Sequence, residues 1–356
     1  MKRSLLYITI FLVFFHINTN AKNTNINKIT NDVITITPSK KQLQLLGWPN
    51  DIINSVALRT IEGIVLIDTQ NSPANARLVK NAVIEYFNDS TFTYIINTHG
   101  HSAHTGGNCI FDQSRIVAHV NSADEIKNYD DIFLGQTVEF LRKRIQYQNS
   151  VLDTVRAENA FTDSINEDID RYKFFEADLI NNYRVRYPDL TFQQNLELKP
   201  GNKTIELNYM GKGHGNADII VYIKEDKTLC TGNLFHLGAY KNEEMPSFYL
   251  NRVNEIDKWI ETLSTFLNTH NDIDYVLTTH GKKPFTRENI VFINEYCKAV
   301  RDAVKKAKTE GKTMETVQDS EPFESFFSQY SNIVRFNNEA KEMHARNIRL
   351  IWQYIE

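Results

Sequence analysis

The stretch NTHGHSAHTGGN, residues 97–108, places three histidines, His99, His101 and His104, within six residues. Imidazole is a common zinc ligand and the side chain that titrates nearest neutral pH. With ten histidines in the chain, a given three-His pattern arises by accident in roughly one sequence in a hundred, so the cluster calls for a chemical explanation. Side chains at i and i+2 in extended or loop backbone share a face. His99 and His101 can therefore reach one ion at about 2.0–2.1 Å. His104 lies beyond the turn and points to a second position. Gly106 and Gly107 are expected to let the backbone turn tightly behind the ligands. Ala103 stands where a fourth ligand would be expected.

Two further histidines stand at strand ends. GKGHGNAD sets His214 between glycines just before an apolar run, and LTTHGKK sets His280 just after one. Loops at strand ends are where ligands from distant sequence converge. Together with the first cluster, these positions predict a metal centre.

The elements that must position these residues follow from periodicity. DVITITPS and QLQLLG alternate like strands, and IINSVALRT and GIVLIDT form a hairpin around Ile61–Gly63. Ser72 and Pro73 open a helix whose Ala76, Val79, Val83 and Phe87 recur at helical spacing. FTYIINT is a strand running into His99, and RIVAH another. Residues 121–190 read as a helical insertion between two halves of the sheet system, ended by Tyr187–Pro188. Strands resume in LTFQQNLELKPGNKTIELNYM, DIIVYI and TLCTGNLF. A helix over VNEIDKWIETLSTFL and the strand IDYVLTTH follow. The C-terminal helices span residues 286–309 and 336–355, with a polar stretch around EGKTMETVQDSEP between them. The chain is thus mixed α/β (α+β), with helices packed outside sheets rather than strict βαβ alternation.

These segments, in this order, resemble the metallo-β-lactamase-fold hydrolase superfamily. Its signature is His-x-His-x-Asp-His, a later Gly-His, a Gly-Asp at a strand end, and a final His-Gly. Here the matching residues are His99-Gly100-His101-Ser102-Ala103-His104, Gly213-His214, Gly232-Asn233 and His280-Gly281. VLIDT, with Asp68, is similar to the family's early strand, and HTGGN to its usual continuation. The resemblance runs from about residue 33 to about residue 285. It implies an αββα sandwich in a single domain, with the metal site at one sheet edge. It also implies His99, His101 and His214 as the first metal site, with His104 and His280 contributing to a second. The resemblance implies that Ala103 replaces an acid that binds the second metal, and that Asn233 replaces the acid that bridges both metals or the residue that serves nearby.

Three neutral imidazoles and an open position form the ligand set of a catalytic zinc. Two imidazoles and an amide, without a carboxylate, hold a divalent ion weakly. One Zn2+ per chain is therefore expected, with the second ion weak or absent. The expected catalytic residues are His104 and His280 as bases and Asn233 as a group that orients water or a developing oxyanion. Asp218 is a candidate acceptor for a ligand imidazole. Lys282 and Lys283 are candidates to bind an anionic group, and Phe248 and Tyr249 to line the pocket mouth.

Bulk properties bound the rest. Net charge is −4, which gives no footprint for a nucleic-acid partner. Lys2 and Arg3, the apolar run Leu5–Phe15, and the small residues Thr19 and Ala21 read as a signal peptide over residues 1–21. A disordered linker over 22–31 and a single domain over 32–356 are expected to follow, the domain carrying the insertion at about 121–190 and the C-terminal helices at about 286–356. No later run is long enough to span a bilayer. The mature protein is expected in a periplasm or outside the cell, free of the membrane. Cys230 is expected as a buried thiol; one bridge among Cys109, Cys230 and Cys297 is open. The function expected is an exported metal-dependent hydrolase using metal-activated water on an ester, thioester, amide or lactam-type bond of a small molecule. The substituted acids speak against efficient two-metal lactam hydrolysis. The alternative is a catalytically decayed descendant that binds a ligand or partner at the old site.

Overall fold

The computed structural model describes residues 24–39, 53–155, 160–234, 237, 244–248, 255–318 and 321–355. The signal-peptide segment, the QLQLLG strand and Tyr249 lie outside the described residues.

The first sheet contains β1 (Thr24–Lys28), β2 (Val33–Pro38), β3 (Ser55–Thr60), β4 (Gly63–Ile67), β5 (Phe92–Ile96), β6 (Arg115–His119) and β7 (Leu190–Phe192), side by side in chain order. β1 to β4 are antiparallel neighbours, and β4 to β7 run parallel. The second sheet contains β8 (Asn195–Leu198), β9 (Ile205–Gly211), β10 (Asp218–Ile223), β11 (Thr228–Cys230) and β12 (Tyr275–Leu277), also in chain order. The β3–β4 hairpin is closed by Thr60 opposite Gly63, whose φ of +115° favours glycine.

Alternating residues of both sheets interdigitate between them. Val56, Leu58, Val65, Ile67, Ile96 and Val117 meet Leu207, Ile219, Val221, Ile223 and Leu277. The outer face of the first sheet is covered by α1 (Pro73–Phe87), whose Ala76, Val79, Val83 and Phe87 pack on Ile34, Leu66 and Ile95. Ser72 caps α1 by accepting from Asn75 N–H at 3.2 Å. The outer face of the second sheet is covered by α5 (Ile256–Thr269), α6 (Arg287–Thr309) and α9 (Asn338–Tyr354) around Trp259, Phe292 and Tyr296. This is the αββα sandwich implied by the resemblance.

Several sequence expectations change. Residues 24–28, expected within a disordered linker, form edge strand β1, which pairs with β2 from Thr24↔Pro38 to Lys28↔Ile34. TNINK is too polar to read as a strand, but an edge strand open to water on one side need not be apolar. The insertion forms α3 (Ser122–Leu152) and α4 (Ala160–Asn182). It joins β6 to its parallel neighbour β7 within the first sheet, rather than separating two halves of the sheet system. Parallel strands require such a crossover, and a three-residue β7 is too short to announce its sheet. The polar stretch after α6 contains α7 (Met314–Gln318) and α8 (Glu321–Gln329). Phe323 and Phe327 of α8 anchor it in the core. Cys109, Cys230 and Cys297 are buried free thiols, so no disulfide links them.

Candidate metal centre

The site lies where β4, β5, β11 and β12 end and where β9 turns into β10. β5 delivers Asn97, Thr98 and His99, and the chain then forms the single-turn helix α2 (Ser102–Thr105), which carries Ala103 and His104. The β9–β10 loop carries His214, β11 leads to Asn233, and β12 leads to His280.

The ligand atoms of His99, His101 and His214 all lie within 4.8 Å of one another. His101 Nδ1 and His214 Nε2 are 2.9 Å apart. His99 centres the group, with its ring 4.5 Å from His101, 5.0 Å from His214 and 4.0 Å from His104. His99 Nδ1 lies 3.3 Å from the Thr98 hydroxyl, and its Nε2 is enclosed. Three imidazoles converging from two loops suit a zinc ion by donor type and number.

His104 is fully buried beside this group, with Nδ1 2.7 Å from Asp68 Oδ2. A carboxylate only accepts, so Nδ1 carries a proton, and in the neutral ring Nε2 carries the lone pair. His104 Nε2 has no hydrogen-bond partner among the described residues. Asn233 Nδ2 lies 3.3 Å from His214 Nε2, while Asn233 Oδ1 is buried without a hydrogen-bond partner among the described residues. These two enclosed acceptors border the three-His group. Neither His104 nor His280 belongs to the set lying within 4.8 Å. His280 is half-buried on a loop held by Asn54, whose amide donates to Thr278 O at 3.1 Å and Gly281 O at 2.7 Å.

Asp68 organises the floor of the site. Its φ of +62° is uncommon outside glycine. From that position it accepts from Thr98 N–H and Thr98 O–H, both at 2.8 Å, and from His104. Gln70 also has positive φ, at +73°. Gly106 and Gly107 have negative φ, so the expected tight turn is not why glycine is required there. A Cβ on Gly107 would lie 2.1 Å from Thr69 O, and one on Gly106 2.6 Å from Asn71 O; these glycines allow close backbone approach. Buried Asn97 and Asn108 pair through their amides, and Asn97 Nδ2 also holds His104 O at 3.2 Å.

Asp218 grips the backbone on both sides of His214. Its Oδ2 accepts the backbone N–H of Gly213 at 2.9 Å and of Gly215 at 2.7 Å, bracketing His214. Burial, reinforced by the nearby charge of Glu125, pushes its carboxyl up to about 7 against the pull of these donors. Phe248 packs against Trp259 and Tyr296 in the core rather than at a pocket mouth. Lys283 is exposed and 3.9 Å from Glu244.

Sequence reasoning missed Glu125. It lies in the first turn of α3 and is 3 % exposed. Its Oε2 accepts Gly100 N–H at 2.9 Å, and its Oε1 accepts Asn216 N–H. Only the glycines beside His99, His101 and His214 hinted that something packs closely there.

A sequence profile of the metallo-beta-lactamase superfamily matches residues 48–244. The chain belongs to that superfamily, whose members are metal-dependent hydrolases. Solved structures agree on the fold. A metallo-beta-lactamase from Pontibacter korlensis aligns with TM-score 0.50 at 15% identity, covering 77% of this chain and 99% of that one. The crystal structure of VMB-1 aligns with TM-score 0.50 at 14% identity, covering 78% of this chain and 97% of that one. The stereoselective inverting sec-alkylsulfatase Pisa1 from a Pseudomonas species aligns with TM-score 0.56 at 13% identity. That alignment covers 93% of this chain but 50% of the sulfatase.

Proposed function

We propose that this protein is an exported hydrolase that holds one zinc ion on His99, His101 and His214. The convergence of their three ligand atoms within 4.8 Å carries this reading. Zinc bound there supplies a Lewis acid that lowers the pKa of water to about 7.

The protein's own residues do the rest. The three histidines would hold the ion through ring nitrogens, a ligand set that leaves a position for water or substrate in catalytic zinc sites. Asp68 holds the Nδ1 proton of His104, so His104 Nε2 is a base facing the buried interior of the site. His280 is half-buried on the neighbouring loop and is the second candidate base. The Asn233 amide, beside His214, orients a substrate oxygen through its N–H or a water through Oδ1. Ala103 brings no ligand and Asn233 no charge, so a second ion at His104 and His280 binds weakly. The substrate proposed is a small molecule with an ester, thioester, amide or lactam-type bond. Sulfate esters join the screen because of the alkylsulfatase likeness. Export rests on the basic, apolar and small-residue order of residues 1–21.

The test is elemental analysis of the purified mature protein beside His99→Ala. About one zinc per chain, lost in the variant, is the expected result. No bound metal after zinc is supplied would overturn the hydrolase reading and favour a ligand-binding role. Identical pH–rate profiles in wild type, His104→Ala and His280→Ala would remove the base roles.

A further inference from the structure

The two loops that supply the proposed ligands belong to different sheets. His99 and His101 follow β5 in the first, and His214 precedes β10 in the second. One backbone bond joins the bases of the two loops, from Ile219 N–H to Thr98 O at 3.0 Å. A second link, at the loops themselves, comes from the N-terminus of the helical insertion.

Glu125 extends one carboxylate oxygen to each loop. Oε2 accepts the N–H of Gly100, the residue between His99 and His101, and Oε1 accepts the N–H of Asn216, two residues after His214. The same Asn216 is held at its carbonyl, which accepts from Asn121 Nδ2 at 3.0 Å and from Tyr209 O–H at 3.2 Å. Asn121 immediately precedes α3, so both sides of Asn216 are gripped from one place.

The glycines complement this grip. A Cβ on Gly100 would lie 2.4 Å from Glu125 Cβ, and one on Gly215 2.6 Å from Glu125 Oε1. Neither glycine has a positive φ, so neither is needed for backbone freedom. Both make room for the approach of Glu125. Glycine at positions 100 and 215 is thus the imprint of a residue from a third segment.

We propose that Glu125 is a positioning residue, by which the helical insertion sets the spacing between the His99–His101 loop and the His214 loop and so the zinc affinity of the site. This role rests on the three-His zinc site proposed above. It acts through backbone N–H groups and requires no contact with an imidazole.

Glu125→Gln keeps the side chain's size but can accept through only one of its two arms; the other would present an amide donor to a backbone donor. Glu125→Asp keeps the charge and is one methylene too short to span both loops. Zinc affinity is measured by competition with a chromophoric chelator for wild type, both variants and His101→Ala. Thermal melting of the metal-free proteins and amide exchange at Gly100 and Asn216 are followed in parallel. Both Glu125 variants are expected to bind zinc about 10- to 100-fold more weakly while melting cooperatively. Exchange at Gly100 and Asn216 is expected to quicken in the metal-free Glu125→Gln protein. Wild-type zinc affinity in both variants would overturn the proposal, with or without a lowered melting temperature. If His101→Ala alone abolishes binding, the zinc site stands and only the role of Glu125 falls. If wild type itself takes up no zinc, the site and this role fall together.

Discussion

The two ends of the sandwich are built on opposite terms. At one end, the tight turns before β2, β9 and β11 bring Lys203 between Asp32 at 2.9 Å and Asp226 at 2.6 Å. Arg59 reaches Asp32 at 2.7 Å, and the Thr30 hydroxyl donates to Asp226 at 2.6 Å. Opposite charges tie the first sheet to the second. At the other end, four imidazoles crowd together, Asp68 and Gln70 hold uncommon backbone conformations, and His104 Nε2 and Asn233 Oδ1 are buried without hydrogen-bond partners among the described residues. Strain and unmet polar groups persist only where surrounding structure enforces them. The same strands serve both ends, so one end secures the frame on which the other holds its costly arrangement.

The largest expected effects test whether the ends separate. His214→Ala should abolish zinc binding at micromolar metal, read by chelator competition. The urea midpoint of its metal-free form should stay at or above that of wild type, because one crowded imidazole is gone. Lys203→Met should do the reverse. Removing one partner of a buried ion pair costs about 3–5 kcal/mol, and Asp32 is partly solvated, so a loss near the lower figure is expected in urea unfolding. Zinc affinity of the folded variant should match wild type. A parallel loss of affinity in Lys203→Met would show that the turn end also tunes the site.

A smaller effect is expected within the site end. Asp68→Asn suits the backbone, since asparagine tolerates positive φ. It leaves an amide donor facing the Thr98 and His104 donors, however. A loss of about 1–3 kcal/mol is expected for such unsatisfied buried groups, together with weaker zinc binding. Unchanged stability would mean that the floor of the site relaxes around the substitution.

How far the sequence carried differs between the ends in the same way. His99 and His101 were legible as a pair from their spacing, while the choice of His214 as their partner came from the family resemblance. The sandwich came from the family resemblance, and the nearly unbroken apolar runs in GIVLI and DIIVYI fit strands covered on both faces. Glu125 was not legible, because an acid in the first turn of a helix reads equally well as a complement to the helix dipole. Its role exists only once α3 lies against two loops distant in sequence. Asp218 was singled out for its nearness to His214, but spacing did not show that it accepts the backbone N–H groups of Gly213 and Gly215. Lys203 drew no notice, since one lysine among many in a polar turn carries no local signal.

The finest test of the contrast is pH. Burial would raise the pKa of Asp32, but its hydrogen bonds to Lys203 and Arg59 outweigh that and hold it below the ordinary 3.8. A carboxyl depressed in the folded state stabilises fully above its unfolded value, and that stability is lost as pH falls through the folded one. Burial would lower the pKa of Lys203, but Asp226 and Asp32 raise it above 10.5. An ammonium raised in this way stabilises fully below 10.5, and the contribution is lost as pH rises through its folded value. The stability gap between wild type and Lys203→Met should therefore be flat between these limits and should narrow beyond each, when urea midpoints of the metal-free proteins are compared across pH. Subtracting the variant removes the acid and base unfolding that both proteins share. A gap constant across the whole range would mean that Lys203 contributes through the packing of its stem rather than its charge, and the turn end would then be an apolar clasp instead of an ionic one.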